Sequence, residues 1–404
     1  MMLSKWLLQT SRKCATWPVN NRKLVLSQKE FTEFQNTLPK IYEKTFAQAK
    51  YLSSPDITNR IKKIIEYYTL ERFQLQGQLT VFAYHALEDP KNITDDLTYQ
   101  INTIAWCVEM IKDVLAIITA VGCPLLEIQS YYLILDDIED EANTRNAKLC
   151  WHLLPDVGSL VFNDTSILRS FIYEILRHNL KEDVYNKISK LFNEMCLRSE
   201  YGQYLDAIIA KNRNYSKLNL KLYTEVSDNK FTFYSVKFPI LIALLMANKA
   251  NKESMQNVDN AMKNIGCWIQ MHNDIMDSCE ELTTGKTNID IKKGKPSWLA
   301  ATALEICNAR QREIFLSKYG SDKPEDVKSI SELYEELGLR NIFCQDHHAR
   351  LCVIAKQIHN LPHDSIPGRK FFYDFIKKIY PFVVFLPEAL HFDRNNPKTN
   401  WLDK

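Results

Sequence analysis

The segment 131–145 reads Y-Y-L-I-L-D-D-I-E-D-E-A-N-T-R, an apolar run that ends in a cluster of carboxylates. On a helix Asp136 and Asp140 share a face, with Asp137 beside them. Like charges at that spacing oppose an isolated helix by about 0.2–0.5 kcal/mol per pair, so a buried version needs cations. Mg²⁺ takes carboxylate oxygens together with substrate phosphates and is the natural partner. A lone D-D-x-x-D is equally compatible with a solvated acidic turn. A second cluster, Asn273-Asp274-Ile275-Met276-Asp277, follows another helical stretch at 261–272 and shifts that balance. Facing each other across a helical bundle, the two could hold several metal ions on one diphosphate. Between them, E-Y-G-Q-Y-L-D places Gln203 and Asp206 on one helical face, which taken alone is an exposed polar stripe.

Helices must position these groups. Apolar residues recur at three-and-four spacing over 61–75, 99–118, 167–188, 190–210, 233–249, 297–319, 331–337, 341–360 and 371–384. Loops are expected at 89–96 and 280–296, where Pro, Asn, Asp and Lys collect. With only 10 glycines in 404 residues, the chain suits long helices better than a turn-rich β fold. One all-α domain is expected over 30–387, with a polar extension at 388–404. A formal net charge of +2 gives no bulk preference for nucleic acid. The longest apolar run, 114–126, is too short to span a membrane, and the 10 cysteines show no C-x-x-C or metal spacing. Residues 1–29 carry Lys5, Arg12, Lys13, Arg22, Lys23 and Lys29 and no acidic residue. That composition is typical of a mitochondrial transit peptide; a disordered basic tail on a cytoplasmic protein is the alternative.

Over about 62–380 these linked motifs resemble the isoprenyl diphosphate synthases, and within that family the insect terpene synthases similar to farnesyl diphosphate synthases. The resemblance implies a single-domain isoprenoid-synthase helical bundle with a central cavity, a homodimer, and three-ion chemistry in which Mg²⁺, or Mn²⁺ in its place, is held by Asp136, Asp137, Asp140, Asn273, Asp274 and Asp277. Asn273, Asp277 and Glu281 also resemble the N-x-x-x-S/T-x-x-x-E metal triad of other terpene synthases, with Asp at the middle position. By the same resemblance Lys230, Lys286, Lys295, Arg145 and Gln203 contact the diphosphate, with Lys230 and the first acidic motif carrying the catalytic step. Metal ions and fixed cations stabilise the departing diphosphate. The allylic cation left behind needs an apolar, aromatic cavity, to which Tyr131, Tyr132, Phe231 and Tyr234 are assigned, with Phe233 and Trp268 as further candidates.

Chain-elongating members seat isopentenyl diphosphate in a second, metal-free cationic site built from a G-K-x-x-R motif and an R-R pair. Here Gln74 and Gly77 stand at the lysine and arginine positions of that motif, and the pair reads Arg145-Asn146. Hydrogen bonds to charged groups are worth roughly 1.5–3 kcal/mol each, so three losses sum to about 5–9 kcal/mol if additive. The expected function is therefore a terpene synthase, a carbon–oxygen lyase that cyclises farnesyl diphosphate to a sesquiterpene. The alternatives are a residual farnesyl or geranyl diphosphate synthase, or a non-catalytic partner subunit of one.

Overall fold

A computed structural model describes residues 24–52, 54–70, 73–111, 144–145, 148–278 and 288–379. The fold begins at Ser27, whose hydroxyl and backbone N–H exchange hydrogen bonds with Glu30 in a capping box that starts α1 (Gln28–Gln48). Pro55 opens α2 (Pro55–Ile65), where a missing N–H leaves nothing unsatisfied. The next pair, α3 (Leu75–Leu87) and α4 (Asp95–Ile111), is buried nearly all round, as central helices of a bundle are. Among the described residues the one sheet is a two-residue antiparallel ribbon, β1 (Thr144–Arg145) with β2 (Lys148–Leu149). Tyr67 fixes its far end by donating to the Leu149 carbonyl at 2.6 Å.

The chain then forms α5 (Val161–Asn179), α6 (Glu182–Asn212), α7 (Leu220–Ser227), a π-helical stretch (Asp228–Lys237), α8 (Phe238–Met246) and α9 (Lys252–Asp277). Shorter helices follow: α10 (Ile289–Lys293), α11 (Trp298–Ile306), α12 (Ala309–Lys318), α13 (Pro324–Glu336), α14 (Leu339–His359) and α15 (Arg369–Ile379). The all-α architecture is the one expected from the sequence.

Two apolar clusters make the core. The larger joins α1–α5, α8, α15 and the first half of α9. The smaller joins the second half of α9 to α11–α14 and to the 209–223 corner. Four expected helices turn out to be divided, the first of them 61–75, which becomes π-helical at Glu66–Leu70 before α3 starts at Leu75. Residues 167–188 break at Leu180 and Lys181, because the Asn179 side chain takes the Ile175 carbonyl and Thr45 and accepts from Tyr99, which competes with helix continuation. Residues 297–319 break at Cys307, where Asn308 and Gln311 form a fresh capping box. The 233–249 stretch is π-helical up to Lys237.

Candidate active site

The π-helical stretch is wedged between α6 and α9, and two glycines allow it. A Cβ on Gly202 would lie 2.4 Å from the Lys230 backbone nitrogen, and one on Gly266 would lie 2.2 Å from Thr232 Oγ1. This close approach aims Lys230 at α6, where its Nζ meets Asp206 Oδ2 at 2.6 Å. Lys295, arriving from the turn after α10, reaches the same oxygen at 3.4 Å. All three groups are buried. Burial alone would raise the Asp206 carboxyl, but Lys230 and then Lys295 hold it below the usual carboxylate range. One carboxylate against two ammonium groups leaves this wall with an excess positive charge.

The opposite wall is acidic. Asp274 Oδ2 accepts the Trp298 N–H at 2.7 Å, at the start of α11, and Oδ1 accepts from Gln270 at 2.8 Å. Asp277, the last residue of α9, accepts the Asp290 and Ile289 N–H groups at 2.9 and 3.2 Å. Burial lifts the Asp274 carboxyl to about 7 and that of Asp277 to about 6. Asp290 is pushed well above its ordinary value, by burial first and then by Asp277 and Asp274. The two walls enclose a cavity lined by Asp206, Lys230, Lys295, Gln270, Asp274 and Asp290, with Phe231, Tyr223 and Val226 as its apolar part. Phe231 belongs to the larger core cluster and Tyr223 to the smaller, so the cavity lies on the seam between them.

Residues expected from the sequence fall into three groups. Asp206, Lys230, Lys295, Phe231 and Asp274 line this cavity together. Asn273 and Asp277 are buried close by on α9, and Gln203 is half-buried on α6. Tyr234, Phe233 and Trp268 belong to the larger core cluster, as Phe231 does. Asp136, Asp137, Asp140, Tyr131, Tyr132, Lys286 and Glu281 lie outside the described residues, and of Arg145 only the β1 backbone is described.

Sequence reasoning passed over Asp290 and Gln270. Asp290 stands among lysines in N-I-D-I-K-K-G-K, a run that reads as a solvated loop. Gln270 shares a face with Asp274 at i, i+4, which was the available signal.

The donor set suits a hard divalent cation. Carboxylates whose burial, and after it their mutual repulsion, raises their affinity for protons, beside a buried Asn273, offer oxygen ligands of the kind Mg²⁺ takes. Among the described residues, no three His, Cys, Asp or Glu side chains gather closely enough to hold a metal unaided.

The positions of the second diphosphate site sit at the start of α3. Gln74, at φ 45°, donates to the Thr69 carbonyl at 2.8 Å and accepts from Gln35 at 3.1 Å. Gly77 packs so closely on α4 that a Cβ would lie 3.0 Å from both the Ala105 carbonyl and Glu109 Cγ, and its N–H donates to the Glu109 carboxylate.

In this all-α bundle two buried lysines share one cavity with a group of buried carboxylates. The chain belongs to the polyprenyl synthetase family, whose model matches residues 58–337. Among similar proteins, farnesyl pyrophosphate synthase of Rattus norvegicus is 30% identical over 309 residues, 75% of this chain and 83% of that protein. The Nezara viridula enzyme of that name is 28% identical over 315 residues, covering 76% and 74%. Farnesyl pyrophosphate synthase 1, mitochondrial, of Arabidopsis thaliana is 28% identical over 332 residues, covering 80% and 82%. The solved structure of T. brucei farnesyl diphosphate synthase superposes with a TM-score of 0.75 at 21% identity, covering 87% of this chain and 99% of that one. Relatives so named are prenyltransferases, which suits the chain-elongating alternative better than the cyclising lyase. No helix among the described residues is long and apolar enough to cross a membrane.

Proposed function

We propose that this chain ionises an allylic prenyl diphosphate, farnesyl diphosphate, and cyclises the resulting cation to a sesquiterpene with release of diphosphate. Lys230 and Lys295 bind the diphosphate oxygens, and Asp206 fixes both ammonium groups in place. Asn273, Asp274 and Asp277 together with Asp136, Asp137 and Asp140 would hold Mg²⁺, which when bound would supply Lewis-acid stabilisation of the leaving group. Phe231 lines the cavity and keeps water from the cation. Arg145, Gln203 and Lys286 are assigned to the diphosphate, and Tyr131 and Tyr132 to the cavity floor. The reading includes a homodimer, and a mitochondrial address for the basic N-terminal residues, in keeping with the name of the Arabidopsis relative.

The observation that carries the cyclising reading is the start of α3. Gln74 and Gly77 present no positive charge there, Gly77 has no room for a longer side chain, and its N–H faces the Glu109 carboxylate. A second diphosphate would find no cation at these two positions. The names of the relatives favour a second reading, chain elongation with isopentenyl diphosphate. One experiment separates them: purified protein with Mg²⁺ receives farnesyl diphosphate alone, or isopentenyl with dimethylallyl diphosphate, and volatiles and longer diphosphates are analysed. Hydrocarbon from the first mixture is the expected result. Elongation in the second establishes the prenyltransferase instead, and silence in both leaves a non-catalytic subunit.

A further inference from the structure

Lys295 approaches Asp206 from a turn that other parts of the molecule hold rigid. Its carbonyl accepts two hydrogen bonds, from the Ser297 N–H at 2.8 Å and from the Tyr319 hydroxyl at 2.7 Å. Tyr319 caps the end of α12, and its ring stacks on Phe315 with centroids 4.5 Å apart. The same hydroxyl lies 3.5 Å from Ser297 Oγ, the N-cap of α11. One phenol therefore ties the end of α12 to the start of α11, across the backbone of a site lysine.

A second tyrosine grips the turn from the other side. The Tyr215 hydroxyl, buried and without a hydrogen-bond partner among the described residues, occupies the space where a Cβ of Gly294 or Gly320 would stand, 2.1 and 2.7 Å away. Both glycines have positive φ, 69° and 83°, which an L side chain rarely adopts. Gly320 N–H donates to the Ile291 carbonyl at 2.9 Å, closing the turn on itself. The Tyr215 and Tyr319 rings meet edge to face with centroids 5.1 Å apart. We propose that Tyr319, braced by Tyr215, is a positioning residue that sets the Lys295 ammonium for diphosphate binding. Fixing the lysine's backbone before the ligand arrives removes ordering entropy from the binding step.

This inference rests on the proposed diphosphate site but not on the fate of the cation. The test measures binding of inorganic pyrophosphate with excess Mg²⁺ to the full chain, by calorimetry, with the melting temperature followed in parallel. Tyr319→Phe keeps the ring stack and removes the hydroxyl. It is expected to weaken binding roughly three- to tenfold, the size of one lost hydrogen bond. In a Lys295→Met background the same change is expected to matter by less than about twofold, because the group it positions is gone. Equal losses in both backgrounds, or none in either, overturn the positioning role. If Lys295→Met itself binds pyrophosphate like the parent, the site reading fails, and the inference with it. Tyr215→Phe, which removes no hydrogen bond, should show the same background dependence at smaller size. Additive behaviour there overturns the bracing even if Tyr319→Phe fails to fold.

Discussion

At the scale of single residues, Asp206 is the anion that makes two buried lysines tolerable. An isolated ammonium is strongly disfavoured in a dry interior, and removing one partner of a buried pair costs about 3–5 kcal/mol. Asp206→Asn is therefore expected to destabilise the protein at pH 7 by about that amount in urea unfolding. The pH dependence follows from the direction of its shift. The folded carboxyl lies below its unfolded value, so its contribution is present above the ordinary Asp range and is lost as the pH falls through the folded value. The gap between parent and variant should close as the pH drops below about 3.9, the unfolded reference. A gap that stays constant down to pH 3 would mean that the carboxylate's charge is not what the lysines need. Pairing of this kind is hard to read from a linear sequence. Asp206, Lys230 and Lys295 lie on different elements, and motif spacing placed Gln203 and Asp206 on one helical face without revealing that Asp206 is the hub.

At the scale of elements, the site depends on how closely three helical stretches approach. Gly202 and Gly266 let α6 and α9 clasp the π-helical stretch, and a backbone atom cannot move aside as a flexible side chain can. Gly202→Ala would set a methyl 2.4 Å from the Lys230 nitrogen. It is expected to destabilise by about 1–3 kcal/mol, as overpacking does, and to lower pyrophosphate affinity by displacing Lys230 from Asp206. A melting temperature and affinity like the parent's would show that the clasp is slack. The glycine in E-Y-G-Q-Y-L-D was visible in the sequence, but its steric purpose was not, because periodicity describes one helix and not its neighbour. The same limit explains the divided helices. The apolar pattern runs unbroken through 167–188 and 297–319, while the breaks come from Asn179 and Asn308, whose side chains compete for backbone groups. Periodicity also cannot separate a π-helical turn from an α-helical one, so the π-helical run at Asp228–Lys237 was not legible in the sequence.

At the scale of the whole molecule, the all-α bundle was legible because scarce glycine and repeated three-and-four spacing leave few other architectures. The seam between its two cores was not legible, since it arises from which helices meet. That seam gathers Asp274, Asp277 and Asp290 away from water, and a testable pH dependence results. The folded protein raises the carboxyls of Asp274 and Asp277 to about 7 and about 6, above the unfolded range near 3.9. Folding thus favours their protonated forms: this contribution is fully present below about pH 4 and is lost as the pH rises through the two folded values. Buried His272 and His347 act in the opposite sense, being held neutral below their ordinary value, but their effect ends near the unfolded His value of about 6.5. The window that isolates the carboxylates is therefore pH 6.5 to 8, with metal removed by a chelator. There the melting temperature of the parent should fall with rising pH, and Asp274→Asn, which can still accept the Trp298 N–H, should fall less and melt about 2 °C or more higher at pH 8. Adding Mg²⁺ at pH 8 should reverse the order, because a cation bound only to the folded parent adds about 2.7 kcal/mol at a hundredfold excess over its Kd. A parent whose melting temperature is flat from pH 6.5 to 8, and unmoved by Mg²⁺, would show that the acidic wall neither strains the fold nor binds a divalent cation.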